Sequence, residues 1–459
     1  MLKIQDKERL LKNLGHEEKS KREQLLEITE RVLNEINPKK LVLKKLQQLS
    51  ASDLDIPKFE NIYVIGTGKG AIPMACATED FLGDKLAEGL ITAPEDSTAS
   101  SLLEKVQVVK ASHPLPNEAG VEGAKQILNI ADKATEKDLV IALISGGGSS
   151  LLPLPAEGIT LQEKVDITSL LLKSGAKIQE INAVRKHLSR IKGGLLARAL
   201  YPATCLCLVI SDVLGDDLGT IASGPLAPDE TTFEQAIEIL KKYNLWDKTS
   251  KSIQKRLLEE KVETPIPGDG IFEKITTHIL ANHETAAKTT EHIAKDLNIP
   301  TKILTTNLEG EARQQANTLL QTATTPGTLY IATGETTVTI KGSGKGGRNQ
   351  ELLLSLTQAL KTNLQSPTSH HPASSLASTK TQVDKSTFVA LSIGTDGIDG
   401  TCPVPTTGAI TSQRTLTHNL NAKEYLDNND SYHFFEQTQD LIQTGPTGTN
   451  LGDLNLIWP

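Results

Sequence analysis

The run Leu139-Val140-Ile141-Ala142-Leu143-Ile144 passes straight into Ser145-Gly146-Gly147-Gly148-Ser149-Ser150, and this junction constrains the fold more than any other stretch. The run is short, rich in β-branched residues and bare of charge. It reads as a strand buried on both faces of a parallel sheet. Three glycines then let the backbone turn tightly and approach a ligand without Cβ obstruction. Successive N–H groups in such a turn form an anion-binding concavity, and the flanking serines add hydroxyl donors. Strands that end in Gly/Ser loops are where α/β sheets grip their ligands. A plain connector between strand and helix fits the same residues, so the loop alone leaves both readings open.

An earlier segment repeats the pattern. Ile62-Tyr63-Val64-Ile65 runs into Gly66-Thr67-Gly68-Lys69-Gly70-Ala71. This is neither G-x-G-x-x-G nor a Walker loop. Gly68 permits the turn, and Lys69 can reach a cleft as a point charge or remain an exposed loop lysine. Downstream, Arg185, Lys186, Arg190 and Lys192 form a basic stretch. Helical spacing places Arg185, Ser189 and Lys192 on one face, which suits an anionic ligand or a solvated surface. The strand through Val209-Ile210 ends at Ser211-Asp212-Val213-Leu214-Gly215-Asp216-Asp217. Carboxylates there suit Mg²⁺, which binds one or two of them plus phosphate oxygens, and they equally suit a capping turn. A third strand, Phe388–Ile393, ends at Gly394-Thr395-Asp396. Asp212, Asp216 and Asp396 are therefore the metal candidates.

The length of 459 residues suggests two or three domains. Residues 1–50 read as a helical hairpin packed on the N-terminal domain, taken as 1–265. Pro265–Gly270 reads as a linker, and 271–459 as a second α/β domain opening with a strand near Thr276–Leu280. In it, Lys341-Gly342-Ser343-Gly344-Lys345-Gly346-Gly347 leads into a helix. A glycine-rich entry to a helix N-terminus is a second anion site, with Arg348 as a bidentate clamp. Residues 366–386 read as a mobile, exposed insertion with no catalytic role. The net charge of −8 and the 3% aromatic content argue against a nucleic-acid partner. The four cysteines form no C-x-x-C pair, so zinc is not expected. No apolar run approaches the ~20 residues that span a bilayer, and the N-terminus lacks a signal-peptide core. A cytoplasmic protein without a membrane partner is the expectation.

Taken together, GTGKGAIPMA, SGGGSSLLPLP, INAVRKHLSRIKGG, LVISDVLGDDLGTIASGP, LEGEAR, GGRNQELLLS, SIGTDGIDG and PTGTN occur in an order that resembles the glycerate 2-kinases carrying a MOFRL C-terminal domain. The resemblance implies a Rossmann-like N-terminal domain, a distinct α/β C-terminal domain and an active site in the cleft between them. It implies phosphorylation of D-glycerate on its 2-hydroxyl with ATP as co-substrate and Mg²⁺ as cofactor. It ties Lys69 and Arg348 to activity. Ser145, Gly146, Gly147, Gly148, Ser149, Ser150, Gly68, Arg185, Lys192, Asn282, Glu335, Asn349 and Asn450 are the candidates for substrate or nucleotide binding. A homodimer is an open expectation. The chain departs from the family after Gly400, where Thr401-Cys402-Pro403-Val404-Pro405-Thr406-Thr407-Gly408 lacks the usual acidic residue. The alternative enzyme is an NAD(P)H-dependent hydroxypyruvate reductase. The non-catalytic alternative is a sensor of small acids.

Overall fold

A computed structural model describes residues 2–97, 100–260, 262–365 and 388–459. The expectation of a mobile insertion at 366–386 lies outside the described residues. The chain divides into two compact units, Pro38–Asn282 and a second formed by Met1–Asn37 with His283–Pro459.

Six parallel strands build the sheet of the larger unit: β1 (Ile62–Thr67), β2 (Leu86–Pro94), β3 (Val106–Ala111), β4 (Leu139–Ile144), β5 (Thr204–Ile210) and β6 (Ile275–Ala281). Their spatial order is β3-β2-β1-β4-β5-β6. The order reverses direction between β1 and β4, and a ligand crevice forms at the carboxyl ends of strands at such a switch point. Every residue of β1 and β4 is buried, as a sheet covered on both faces requires. One face carries Tyr63, Ile65, Val140, Ala142, Cys205 and Cys207. These pack on the stripe Val121, Ala124, Ile127 and Ile130 of the helix Glu118–Lys133. Burial raises the Cys207 thiol to about 12, so it behaves as an inert small hydrophobe. The helix Ala71–Leu82 covers β1, β2 and β4 and carries the helix Pro38–Ser52.

The smaller unit holds β7 (Thr301–Glu311), β8 (Leu329–Thr337), β9 (Val389–Gly394), β10 (Gly408–Ser412), β11 (Leu441–Ile442) and β12 (Asp453–Trp458), in the order β11-β10-β9-β12-β8-β7. Only β7 and β8 pair in parallel among these described strands; β12 runs antiparallel between β8 and β9. Leu352, Leu353, Leu356 and Leu360 of the helix Arg348–Gln365 pack into a core with Phe388, Ala390, Phe434 and Phe435.

Two boundaries differ from the sequence expectation. The strand expected to open the second domain is β6, and it pairs with β5 to complete the first sheet. The Pro265–Gly270 segment is therefore a loop inside the larger unit. The N-terminal helices are also not one hairpin on one domain. The helix His16–Glu35 belongs with the C-terminal unit, whereas Pro38–Ser52 belongs with the first sheet. The cause is a buried polar network: Arg22 donates to Asp440 at 2.7 Å and to the Leu10 carbonyl at 3.1 Å, and also to Ser412. Amphipathic spacing reports that a helix has a buried face, but not which sheet buries it.

Candidate active site

The two glycine loops of the larger unit are laced together. The Ser145 amide donates to the Thr67 carbonyl at 3.0 Å, and the Lys69 amide donates to the Gly146 carbonyl at 2.8 Å. The Gly70 amide donates to Ser145 Oγ at 2.9 Å. The Gly68 amide reaches the Thr92 carbonyl, and Thr92 Oγ1 donates to Thr67 Oγ1 at 2.8 Å. The ends of β1, β2 and β4 thus form one rigid floor. Gly68 has φ +124°, and a Cβ there would stand 2.2 Å from Ser145 Oγ and 2.4 Å from the Ser145 carbonyl oxygen. We expect Gly68→Ala to push the two loops apart and to lower kcat/KM by roughly 10²-fold, the scale of a 1 Å misplacement. Steady-state kinetics on the variant check this. Gly147, at φ +83°, lies under the Lys69 side chain and the His113 ring, each 3.1–3.3 Å from where a Cβ would stand.

Lys192 anchors the far side of the SGGGSS turn. Its Nζ donates to the Ser149 carbonyl at 2.8 Å, to Ser149 Oγ at 3.2 Å and to the Ala222 carbonyl at 3.3 Å. Ser149 Oγ in turn meets Ser223 Oγ at 2.7 Å, and Ser223 Oγ donates to Asn182 Oδ1 at 3.2 Å. Lys192 is 1% exposed and has only neutral oxygens as partners. Burial drives its pKa well down, and Lys164 and Arg185 add to this by repulsion. Lys164 is buried too and donates only to the Pro153 and Leu154 carbonyls. The Arg185 guanidinium is lowered by burial alone. Three basic side chains therefore gather near an amide-rich turn, and both Lys192 and Lys164 donate there to neutral oxygens.

The single-face helix expectation is corrected here. The helix Ile178–His187 carries Arg185 but ends before Ser189 and Lys192. Those two sit in a tight turn in which Ser189 Oγ accepts from the Lys192 amide at 3.3 Å. The two glycines that follow, Gly193 and Gly194, have φ +56° and +77°, so the chain leaves helical geometry. Lys164 was not among the sequence candidates. It sits on the buried face of an amphipathic helix, where spacing alone does not separate a stem that snorkels outward from one that ends inside.

At the end of β5, Asn282 Nδ2 donates to Asp216 Oδ2, and Asp216 Oδ1 is buried without a partner. Asp212 lies at the same strand end and is half-buried. Among the described residues no three His, Cys, Asp or Glu side chains form a metal-holding group.

In the smaller unit, Arg348 Nε donates to both carboxylate oxygens of Asp453, at 3.0 and 2.7 Å, and Nη1 donates to Glu335. Asn349 Nδ2 donates to Asp453 at 2.9 Å, while Asp399 accepts the amides of Asn349 and Gln350 at 3.0 and 2.9 Å. The expected second anion site is thus filled from within. Asp399 caps the helix N-terminus, and the Arg348 fork is held by carboxylates. Asp396 Oδ1 accepts from the Ile398 amide at 3.0 Å. Asn450 is buried nearby in sequence to Asp453. Neither Asp399 nor Asp453 was a sequence candidate, although both follow glycine-rich turns that a reader of strand ends would inspect.

Burial raises Asp453 to about 6, against the pull of Arg348. Its folded pKa lies above the ordinary 3.8, so its stabilising contribution is complete below that value and is lost as pH rises through about 6. Activity should run the other way. We expect kcat to fall below about pH 6 with a one-proton slope, as Asp453 protonates and leaves Arg348 oriented by Glu335 alone. A pH–rate profile in which Asp453→Asn loses that acid limb checks this.

The larger unit is thus a doubly wound α/β module whose strand order reverses beside the SGGGSS turn, with Lys192 gripping that turn. Comparison with known proteins then fixes the family. A domain of unknown function (DUF4147) matches residues 24–258, and the MOFRL family matches residues 328–453. The chain is 34% identical to a D-glycerate 2-kinase of Thermotoga maritima, covering 94% of this chain and 96% of that one. It is 37% identical to a glycerate 2-kinase of Pyrococcus horikoshii, with 86% of each chain covered. A crystal structure of glycerate kinase from Thermotoga maritima superposes with TM-score 0.81 at 34% identity, over 96% of this chain and 99% of that one. The chain belongs to the MOFRL family of glycerate kinases.

Proposed function

We propose that this protein phosphorylates D-glycerate on the 2-hydroxyl, consuming ATP and giving 2-phosphoglycerate and ADP. The observation that carries the reading is the buried Lys192 side chain that grips the SGGGSS turn through Ser149, with the basic Arg185 and Lys164 near it and only neutral oxygens as its hydrogen-bond partners. Such a site suits a carboxylate or a phosphoryl group, and the likeness to glycerate kinases over nearly the whole chain supports the choice of glycerate. The reaction forms a bond from glycerate O2 to the γ-phosphorus, breaks that phosphorus's bond to ADP and releases the hydroxyl proton. Such transfer needs mainly positioning and charge neutralisation. The rigid floor formed by the two glycine loops does the positioning. Lys69, Arg185 and Lys192 supply the charge.

The residues present fit Mg²⁺. Mg²⁺ binds through one or two carboxylates plus substrate phosphates, and Asp216 offers a buried, unpartnered oxygen with Asn282 fixing the other. Asp216, with Asp212 beside it in sequence, would hold the ion. When bound it would neutralise phosphate oxygens. The first glycine turn lacks G-x-G-x-x-G, which disfavours a nicotinamide site. The test is purified protein given ATP and Mg²⁺ with and without D-glycerate, and separately NAD(P)H with hydroxypyruvate. ADP release that depends on glycerate supports the kinase. Loss of nicotinamide absorbance without ADP release would establish the reductase instead.

A further inference from the structure

A groove of about 550 Å³ opens on the larger unit, beside the helices Glu118–Lys133, Leu195–Leu200 and Lys251–Glu259. Its lining shares no residue with the glycine loops. A hollow of about 110 Å³ adjoins it through Ser189, Leu195, Arg198 and Arg256.

Four basic side chains, Lys125, Arg190, Arg198 and Arg256, line the groove against two carboxylates, Glu122 and Asp132. Lys125 meets Glu122 at 3.7 Å. Arg256 pairs with Glu260, yet its Nε is buried with no partner. Arg198 has one hydrogen bond, to the Glu263 carbonyl at 2.9 Å. The Arg190 side chain is exposed and makes no hydrogen bond or ion pair among the described residues. Leu154 and Leu195 give the groove an apolar floor. Arginine forks match carboxylate and phosphate groups two bonds at a time, and a pocket of several hundred Å³ suits a small metabolite.

We propose that this groove binds an organic dianion, a phosphate ester or a dicarboxylate of metabolite size, held by Arg190, Arg198 and Arg256. The site is continuous with the anion loop through one rigid turn. Ser189 Oγ donates to the Leu154 carbonyl at 3.0 Å and accepts from the Lys192 amide at 3.3 Å. Arg190 thus faces the groove while Lys192, two residues on, grips Ser149.

The test is titration calorimetry on the full chain, without nucleotide or metal. Phosphoenolpyruvate and succinate are the two probes. Binding with Kd of roughly 10 μM–1 mM is expected for phosphoenolpyruvate. Arg190→Ala/Arg198→Ala should weaken it at least tenfold, and Arg190→Lys/Arg198→Lys, which keeps the charge and loses the fork, should weaken it too. Lys69→Ala should leave it unchanged. Succinate binding with the same variant pattern would identify the dianion as the recognised feature, and its failure would assign the site to phosphate esters. Absence of binding by both probes, binding unaffected by the double arginine variants, or binding abolished by Lys69→Ala would each overturn the proposal. The measurement needs no turnover, so its outcome is separable from that of the kinase assay.

Discussion

Lys192→Met is expected to lower kcat/KM for glycerate by roughly 10²–10³-fold while leaving the protein folded. Truncating one partner of a desolvated charge pair costs about 2–5 kcal/mol, and 1.4 kcal/mol is a factor of ten. The free protein loses less. Methionine fills a similar volume and removes a group whose charge burial disfavours, but it leaves the Ser149 and Ala222 carbonyls without their donor, so thermal stability should fall by about 1–3 kcal/mol, below the loss in kcat/KM. A Lys192→Met enzyme with unchanged kinetics would remove Lys192 from the site.

Asp440→Ala should destabilise the smaller unit by about 3–5 kcal/mol, the scale for leaving a buried charge without its partner. Arg22 and Asp440 are both wholly buried and meet at 2.7 Å. Burial alone would push Asp440 up, but Arg22 and Arg414 outweigh it and hold the carboxyl below the usual range. Its contribution is therefore present above the ordinary carboxylate pKa and is lost as pH falls through the folded value. Removing Asp440 leaves Arg22 with the Leu10 carbonyl, hydroxyl groups and only the more distant Glu18 carboxylate at 4.0 Å. The apolar double replacement Arg22→Met/Asp440→Leu should cost much less than either single truncation. Urea unfolding followed through Trp458, which lies buried in β12 of this unit, measures both. A single-variant loss under about 1 kcal/mol would contradict the assignment of the N-terminal helix to this unit.

The glycine loops were legible in the sequence because a charge-free strand followed by Gly/Ser leaves few alternatives. The parallel sheet followed from equally local signals. What local patterns did not carry was pairing across the chain. Nothing near Ile275 tells β6 that its partner is β5. Nothing near Arg22 points to Asp440, more than four hundred residues on. The partners of Arg348 were hidden for the same reason. A glycine-rich helix entry attracts an anion, and the chain supplies its own in Asp399 and Asp453. Lys192 was read for its charge, but its burial and its grip on Ser149 come from the turn at Ser189, not from helical spacing.

The central claim is that the loop after β4 and its buried lysine present glycerate for phosphoryl transfer. Phosphorus NMR of a reaction containing the purified protein, ATP, Mg²⁺ and D-glycerate tests it most directly. The prediction is a 2-phosphoglycerate resonance that grows in step with ADP and is nearly absent with Lys192→Met. Formation of 3-phosphoglycerate in its place, or no phosphate ester at all, would contradict it.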